Sequence, residues 1–85
     1  NKVDVGVAYP NPTNDVLNIP ANFISASNVA VTVTNLMGQT VASYNFGKLS
    51  GIQTLKLDVS NIASGTYMYT INTENAKVTK LFVVK

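Results

Sequence analysis

The chain has 85 residues and a formal net charge of +2, and it contains neither cysteine nor histidine. A chain of this length forms one small domain with a modest core and no room for a large enclosed active site, and without cysteine it has no disulfide and no thiolate chemistry. Its positive charge comes from six scattered lysines without arginine, which excludes the clustered basic patch typical of nucleic-acid binding.

Alternation of apolar and polar residues predicts β-strands along most of the chain, and helical periodicity is almost absent. The cleanest strand places Val29, Val31 and Val33 on one face, with small or hydroxyl residues on the other. Predicted strands cover residues 3–7, 16–19, 29–34, 39–46, 55–59, 67–71 and 76–84, and Val41 in the fourth of them is expected to point toward the core.

The segments between these strands carry the proline, glycine and asparagine residues typical of turns. Two prolines turn the chain at residues 9–12. Pro20 ends a strand, and residues 21–28 are predicted to be a loop in which Phe23 and Ile24 are tucked under the edge of the sheet. Further turns are predicted at residues 35–38, 47–51, 58–65 and 72–75.

About seven short strands separated by turn signals predict an all-β fold, an antiparallel Greek-key sandwich of the immunoglobulin-like type. No internal repeat or linker interrupts the sequence, so residues 1–85 are predicted to be a single domain. Residues 1–8 are either its first strand or the end of a linker from a preceding domain. The chain opens without an initiator methionine, an export signal or a membrane span, so we expect a longer protein to precede it.

Patterns that support catalysis are weak in this sequence. Without histidine, a serine nucleophile could be activated only by a lysine that burial deprotonates, and a small domain offers little such burial. The carboxylates are dispersed along the chain at Asp4, Asp15, Asp58 and Glu74. We therefore predict no enzymatic activity and no cofactor.

Residues 10–15, with the sequence PNPTND, offer oxygen atoms that could ligate calcium. Only one residue of this segment is charged, which favours a structural interpretation. In that interpretation the side chains of Asn11, Asn14 and Asp15 accept hydrogen bonds from nearby backbone N–H groups as Asx turns, while Pro10 and Pro12 stiffen the segment. We predict no metal site here.

Residues 57–67 have the pattern of a tyrosine corner, a feature of immunoglobulin-like and fibronectin-like sandwiches. A strand ends, Gly65 supplies a permissive backbone, and Tyr67 begins the next strand. The phenol is expected to pack under the corner, with its hydroxyl bonded to the backbone a few residues upstream. Stacking of a ligand on Tyr67 or Tyr69 is the alternative.

Four blocks of the sequence, in this order, resemble the type A C-terminal sorting domain of the type IX secretion system of Bacteroidota. The resemblance runs from about Ala8 to Lys85. The blocks are Tyr9-Pro10-Asn11-Pro12 leading into residues 16–19, VTVTNLMGQTV at 31–41 with Gly38 and Gln39, LDVSNIASGTYMYTI at 57–71 with Gly65 and Tyr67, and KLFVVK at 80–85.

The sequence departs from the family at three places: Asn35 stands where aspartate is frequent, Gln39 stands where lysine or arginine is frequent, and residues 21–28 make a longer loop. The resemblance implies that the chain is the export address of a larger cargo, which crosses the periplasm and ends secreted or at the cell surface. It also implies three partners in the secretion machinery: an outer-membrane translocon, a shuttle, and a sortase-like cysteine peptidase that cleaves the domain and couples the cargo to a surface anchor.

The alternative function is an immunoglobulin-like or fibronectin-like accessory module that binds carbohydrate or a protein for an attached enzyme. Position in the parent protein distinguishes the two functions, because a sorting domain must end its chain.

Residues 77–85 are apolar on both faces, since Val78, Phe82 and Val84 alternate with Leu81 and Val83. Such a strand is either central in its sheet or an edge that meets another protein. We expect the secretion machinery to read the end of this strand by strand addition, with main-chain hydrogen bonds giving affinity. The candidate recognition residues are Lys80, Leu81, Phe82, Val83, Val84 and Lys85.

Lys80 and Lys85 flank that edge and would discourage self-pairing. The structural alternative is that the terminal residues complete the core. We expect such packing more for Leu81 and Val83 than for Val84 and Lys85.

Overall fold

The computed structural model describes residues 3–74 and 76–85, in which all regular secondary structure is β. Asn1, Lys2 and Asn75, which belong to the predicted 1–8 and 72–75 segments, lie outside the described residues. The described part of the chain forms no helix of the length and hydropathy that a membrane span requires. Five strands follow one another: β1 (Val3–Val5), β2 (Val16–Asn35), β3 (Thr40–Asp58), β4 (Gly65–Asn72) and β5 (Lys77–Val84).

The strand β2 is the centre of the sheet, and every strand pairing is antiparallel. Along one side it pairs with β3 over nearly its whole length. Along the other side its first half pairs with β1 and its second half pairs with β4. β5 then pairs with β4 and forms the edge. The predicted all-β, antiparallel class is therefore confirmed.

The predicted number of about seven strands is wrong, because β2 and β3 each join two predicted strands. Residues 21–28 are part of β2 and do not form a loop, since Ala21 and Phe23 continue the buried side of the alternation. Ile24, which we expected under the edge, is exposed. Pro20 does not end the strand either. The Pro20 carbonyl accepts the Gly6 N–H at 2.8 Å. Because the N–H and C=O of a strand residue point to the same side, the N–H that proline lacks would point away from β3, and no hydrogen bond to β3 is lost.

The predicted 47–51 turn is also strand, and it lies where β3 carries two glycines with left-handed backbone. Gly47 has φ of 71° and Gly51 has φ of 74°. The β2–β3 register shifts between Phe23 and Ser27 and again between Val29 and Ala30, opposite these glycines. These irregularities let a 19-residue strand continue where the sequence predicts a reversal.

Val41 is exposed, although the sequence alternation assigns it to the core. A further register shift between Val33 and Thr34 leaves Val41 as an extra residue in β3, since Ala42 pairs with Val33 and Thr40 pairs with Thr34. The extra residue of this β-bulge shifts the inward–outward alternation of the side chains by one position in the residues that follow it. Ala42, Tyr44 and Phe46 therefore pack against the core in its place.

One apolar core receives side chains from both halves of β2. Leu17 and Ile19 come from the first half, Val31 and Val33 come from the second half, and none of the four is exposed. The other fully or almost fully buried large side chains are Phe23, Val29, Leu55, Leu57, Val59, Tyr69, Ile71 and Phe82. The five strands belong to one hydrogen-bonded sheet, and the two-layer immunoglobulin-like Greek key stays a prediction.

A carboxylate ties the β4–β5 connection to the middle of β2. Glu74 accepts the backbone N–H of Asn28 at 2.8 Å through Oε1 and the Asn28 side-chain amide at 3.2 Å through Oε2. This contact lies next to the irregular stretch of β2 between Phe23 and Ser27. It fixes the hairpin that carries the chain terminus against the strand at the centre of the sheet.

We expect Gly51→Ala to lower the free energy of unfolding by about 1–2 kcal/mol, because an L-residue is strained at this positive φ. No atom lies within 4 Å of the added Cβ, so the cost comes from the backbone alone. The control is Ser50→Ala, an exposed neighbour whose side chain makes no hydrogen bond among the described residues. Urea unfolding measures both variants, and an equal midpoint for the two would contradict the left-handed geometry.

Candidate recognition edge

The inner face of β5 belongs to the core. Phe82 is 1% exposed, and its ring lies between those of Tyr67 and Tyr69, at centroid distances of 6.1 Å and 5.9 Å. Val84 is 4% exposed. The expectation that core packing would stop short of Val84 is therefore wrong, and the penultimate residue of the sequence is as buried as the strands before it.

The outer face of β5 has the opposite character. Leu81 is 61% exposed and Val83 is half-buried, so the expectation that these two residues would pack into the core more than Val84 is wrong. The register explains both results, because Phe82 pairs with buried Tyr67 while Leu81 pairs with Met68 on the other side of the sheet. The strand thus holds the core with one face and presents the other to solvent.

Residues 11–13 cover the outer edge of β5 at its end. The Val83 N–H donates to Asn11 Oδ1 at 3.0 Å, and the Thr13 N–H donates to the Val83 carbonyl at 2.9 Å. The Lys85 N–H then donates to the Thr13 carbonyl at 2.7 Å. Thr13 itself is 1% exposed, with its hydroxyl donated to the Val16 carbonyl at 2.8 Å. No local pattern predicts this contact, which joins residues 72 positions apart.

The Asx-turn interpretation of residues 10–15 is wrong for Asn11, since its side-chain oxygen accepts a hydrogen bond from the Val83 N–H of β5 and not from a nearby residue. The side chains of Asn14 and Asp15 form no hydrogen bond with another described residue. Pro10 and Pro12 flank Asn11, and both of their peptide bonds are cis. Within the described ranges no three acidic, histidine or cysteine side chains come together as metal ligands do.

Before Val83 the outer edge of β5 is open. Val83 and Lys85 direct their backbone groups away from β4, and alternation gives Lys77, Thr79 and Leu81 the same direction. Among residues 3–74 and 76–85 these outward N–H and C=O groups have no hydrogen-bond partner. We call the outward backbone groups of Lys77, Thr79 and Leu81 the open edge.

The open edge lies in a positively charged part of the chain. Lys77, Lys80 and Lys85 are all exposed, and residues 76–85 contain no acidic residue. None of the three ammonium groups forms an ion pair with a described carboxylate. Three of the six lysines of the sequence are thus available to form ion pairs with a partner at this strand.

Comparison with known proteins identifies the family. The chain matches the secretion system C-terminal sorting domain family over residues 7–85. The chain is a type IX secretion C-terminal sorting domain. No curated protein matches it significantly. The family consists of sorting signals for secreted or cell-surface cargo, and the blocks quoted above for the resemblance all fall within the matched residues.

Two of the departures from the family sequence contact each other in this sorting domain. The Asn35 side-chain amide donates to Gln39 Oε1 at 2.9 Å, across the turn between β2 and β3. Asn35 Oδ1 also accepts the N–H groups of Met37 and Gln39, and the Gly38 N–H donates to the Asn35 carbonyl. A neutral pair of side chains therefore holds the turn between β2 and β3 in this sorting domain.

The region around Tyr67 has the geometry expected of a tyrosine corner. The Tyr67 hydroxyl donates to the Ala63 carbonyl, four residues upstream, at 2.7 Å, and the ring is buried. Gly65 has φ of 155°, and a Cβ there would lie 3.5 Å from the Tyr67 ring. Gly65 also pairs with Val84, so the corner lies directly beside the end of β5. Tyr67 and Tyr69 are both buried and present no face for ligand stacking.

Three described groups of the sorting domain have shifted pKa values, and none of the three is on β5. Hydrogen bonds from the Ser60 hydroxyl at 2.6 Å and the Ser60 N–H at 3.0 Å lower the pKa of the exposed Asp58 carboxyl. Burial, and then the charge of Asp58, raise the pKa of Tyr44, whose hydroxyl donates to the Asp58 carbonyl at 2.7 Å. Burial also raises the pKa of Tyr69. Both phenols are therefore neutral at physiological pH.

We expect Tyr67→Phe to lower the free energy of unfolding by about 1 kcal/mol, because it leaves the Ala63 carbonyl without its donor. Tyr67→Ala should cost about 3–5 kcal/mol, because it also removes the buried ring. Tyr69→Phe is the matched control, since the Tyr69 hydroxyl has no described partner. Denaturant unfolding measures all three. Equal stability of the two Phe variants would contradict the role given to the Ala63 hydrogen bond.

We expect Asn11→Ala to lower the free energy of unfolding by about 0.5–1.5 kcal/mol, because the Val83 N–H loses its acceptor at the end of β5. Asn14→Ala, in the same segment, should change it by less than about 0.5 kcal/mol, because that side chain is exposed and unbonded. Urea unfolding compares the two. A larger loss for Asn14→Ala would mean that residues 11–13 do not cover the edge.

Proposed function

We propose that this chain is the C-terminal secretion signal that directs a larger cargo protein across the outer membrane through the type IX secretion system. The observation that carries the proposal is the family match over residues 7–85. The edge strand adds a physical route to recognition, because β5 offers backbone groups that no described residue pairs with, beside exposed lysines.

The proposed route passes through the periplasm and ends with the cargo secreted or held at the cell surface. The proposed partners are the outer-membrane translocon, a shuttle protein, and a sortase-like cysteine peptidase that removes the domain and replaces it with an anchor. Among the described residues β1 at Val3–Val5 is the first strand and pairs with Ala21, Asn22 and Phe23 in the first half of β2, so a cut before Val3 would remove none of the five strands.

The proposed function needs no catalytic step in this chain. The sequence has no histidine or cysteine, and no two of its four carboxylates form a hydrogen-bonded pair among the described residues. A shallow depression of about 240 Å³ lies beside β1. Its lining has one carboxylate, that of Asp4, and no group that could act as its partner: the other lining residues are Gly6, Pro20, Ala21, Asn22 and Ile52. Asp4 alone supplies no nucleophile–base pair in this depression, which supports a non-catalytic role for the chain.

We expect a reporter with an N-terminal export signal, fused ahead of residues 1–85, to appear outside a Bacteroidota host that has a working type IX system. The same reporter should accumulate in the periplasm of a strain that lacks the outer-membrane translocon. Fractionation and immunoblotting of both strains measure the distribution.

The matched control is the reporter without residues 1–85, which should stay in the periplasm of both strains. Periplasmic retention of the complete fusion in the competent strain would contradict the proposed function and favour a binding module. Export that does not depend on the translocon would contradict it as well.

A further inference from the structure

Among the described residues the sheet has three strands at its margins, β1, β3 and β5. β1 is three residues long. β3 pairs with β2 without a shift over residues 51–58, but three register shifts interrupt the rest of its length, a device that natural sheets use to blunt their edges. β5 pairs with β4 over its whole length without a shift, and it carries Lys77 and Lys80 but no acidic residue. An added acidic strand therefore finds a regular template of opposite charge on β5.

The contact with residues 11–13 sets where an added strand must stop. Asn11 and Thr13 already occupy the outward groups of Val83 and Lys85. The open edge that remains runs from Lys77 to Leu81, a length of about 17 Å at the usual rise of a strand. This length accommodates about five residues of an extended peptide, with its main chain bonded to three residues of β5.

The charge of this strand defines the chemistry of the segment that fits it. Lys77 and Lys80 are exposed along the open edge, and Lys85 is exposed just beyond it. No described carboxylate is paired with them. An incoming strand with Asp or Glu side chains would be attracted, whereas a second copy of β5 would bring its own lysines and be repelled.

We propose that the open edge takes an acidic, extended segment of a partner protein as an added strand beside residues 77–81. The proposal rests on the proposed function and names the chemical class of the partner that reads the signal. The competing explanation is that the lysines only protect the edge from self-association. The two explanations predict different export of the fusion when an outward N–H donor of β5 or the lysine charges of β5 are removed.

The first test removes one outward donor while leaving the β4–β5 ladder intact. Thr79→Pro deletes an N–H that points away from β4, and proline is tolerated on an edge strand. The control is Thr79→Ala, which equally loses the hydroxyl contact with Thr70 but keeps the N–H. We expect Thr79→Pro to lower export of the fusion about tenfold and Thr79→Ala to leave it unchanged. Equal export of the two variants, with both folded by thermal melting, would overturn the strand-addition geometry.

The second test reverses the charge of two lysines at a time, first on β5 and then on β3 as a control. The fold should be unaffected, because Lys48, Lys56, Lys77 and Lys80 all have exposed side chains. Lys77→Glu with Lys80→Glu should lower export about tenfold. Lys48→Glu with Lys56→Glu makes the same change in net charge on β3 and should leave export unchanged. Normal export of the β5 variant would overturn the proposal, since the lysines would then only protect the edge. This test also decides the matter if Thr79→Pro does not fold.

The third test identifies the occupant directly. A benzoylphenylalanine photocrosslinker in place of Leu81, in the fusion held in the secretion-competent strain, should link to a partner peptide rich in Asp or Glu. A crosslink to a second copy of the chain, to lipid, or to a peptide without acidic residues would overturn the proposal. If the unmodified fusion is not exported at all, the proposed function fails. If it is exported, and each test variant on β5 is exported as well as its control, only this inference fails.

Discussion

An edge strand must leave its outward backbone groups to water or find a partner for them, and β5 does both. At Val83 and Lys85 the partner is the chain's own 11–13 segment, through three hydrogen bonds of 2.7–3.0 Å. At Lys77, Thr79 and Leu81 no described residue supplies one. Stability and recognition at β5 both depend on this division, because it separates a fixed end of the strand from an available stretch before it.

The same strand also supports the fold, and this couples stability to recognition. Phe82 packs against Tyr67 and Tyr69, and Val84 pairs with Gly65 beside the tyrosine corner. Truncation of the last residues would therefore open the core and release residues 11–13 as well as remove a signal. Changes at outward positions avoid this confusion, because their side chains and donors are not used by the core.

The sequence predicted well where a segment's own pattern decides its structure. Alternation identified Val31 and its neighbours as core, and the Gly65-x-Tyr67 spacing indicated the corner. Sequence patterns failed where contact with a segment far along the chain determines the structure of a residue. Pro20 signals a strand end unless its missing N–H points away from the neighbouring strand, and this orientation depends on β1. The acceptor role of Asn11 likewise depends on β5, 72 residues later, and no local pattern encodes it.

Amide hydrogen exchange along β5 tests the division of this edge most directly, because each residue's N–H either faces β4, faces residues 11–13, or faces solvent. We expect fast exchange of the N–H groups at residues 77, 79 and 81, and slow exchange at residues 83 and 85 as well as at residues 78, 80, 82 and 84. Slow exchange at 79 and 81 would mean that the edge is already occupied, and fast exchange at 83 and 85 would mean that residues 11–13 do not cover it. Either result would contradict the account.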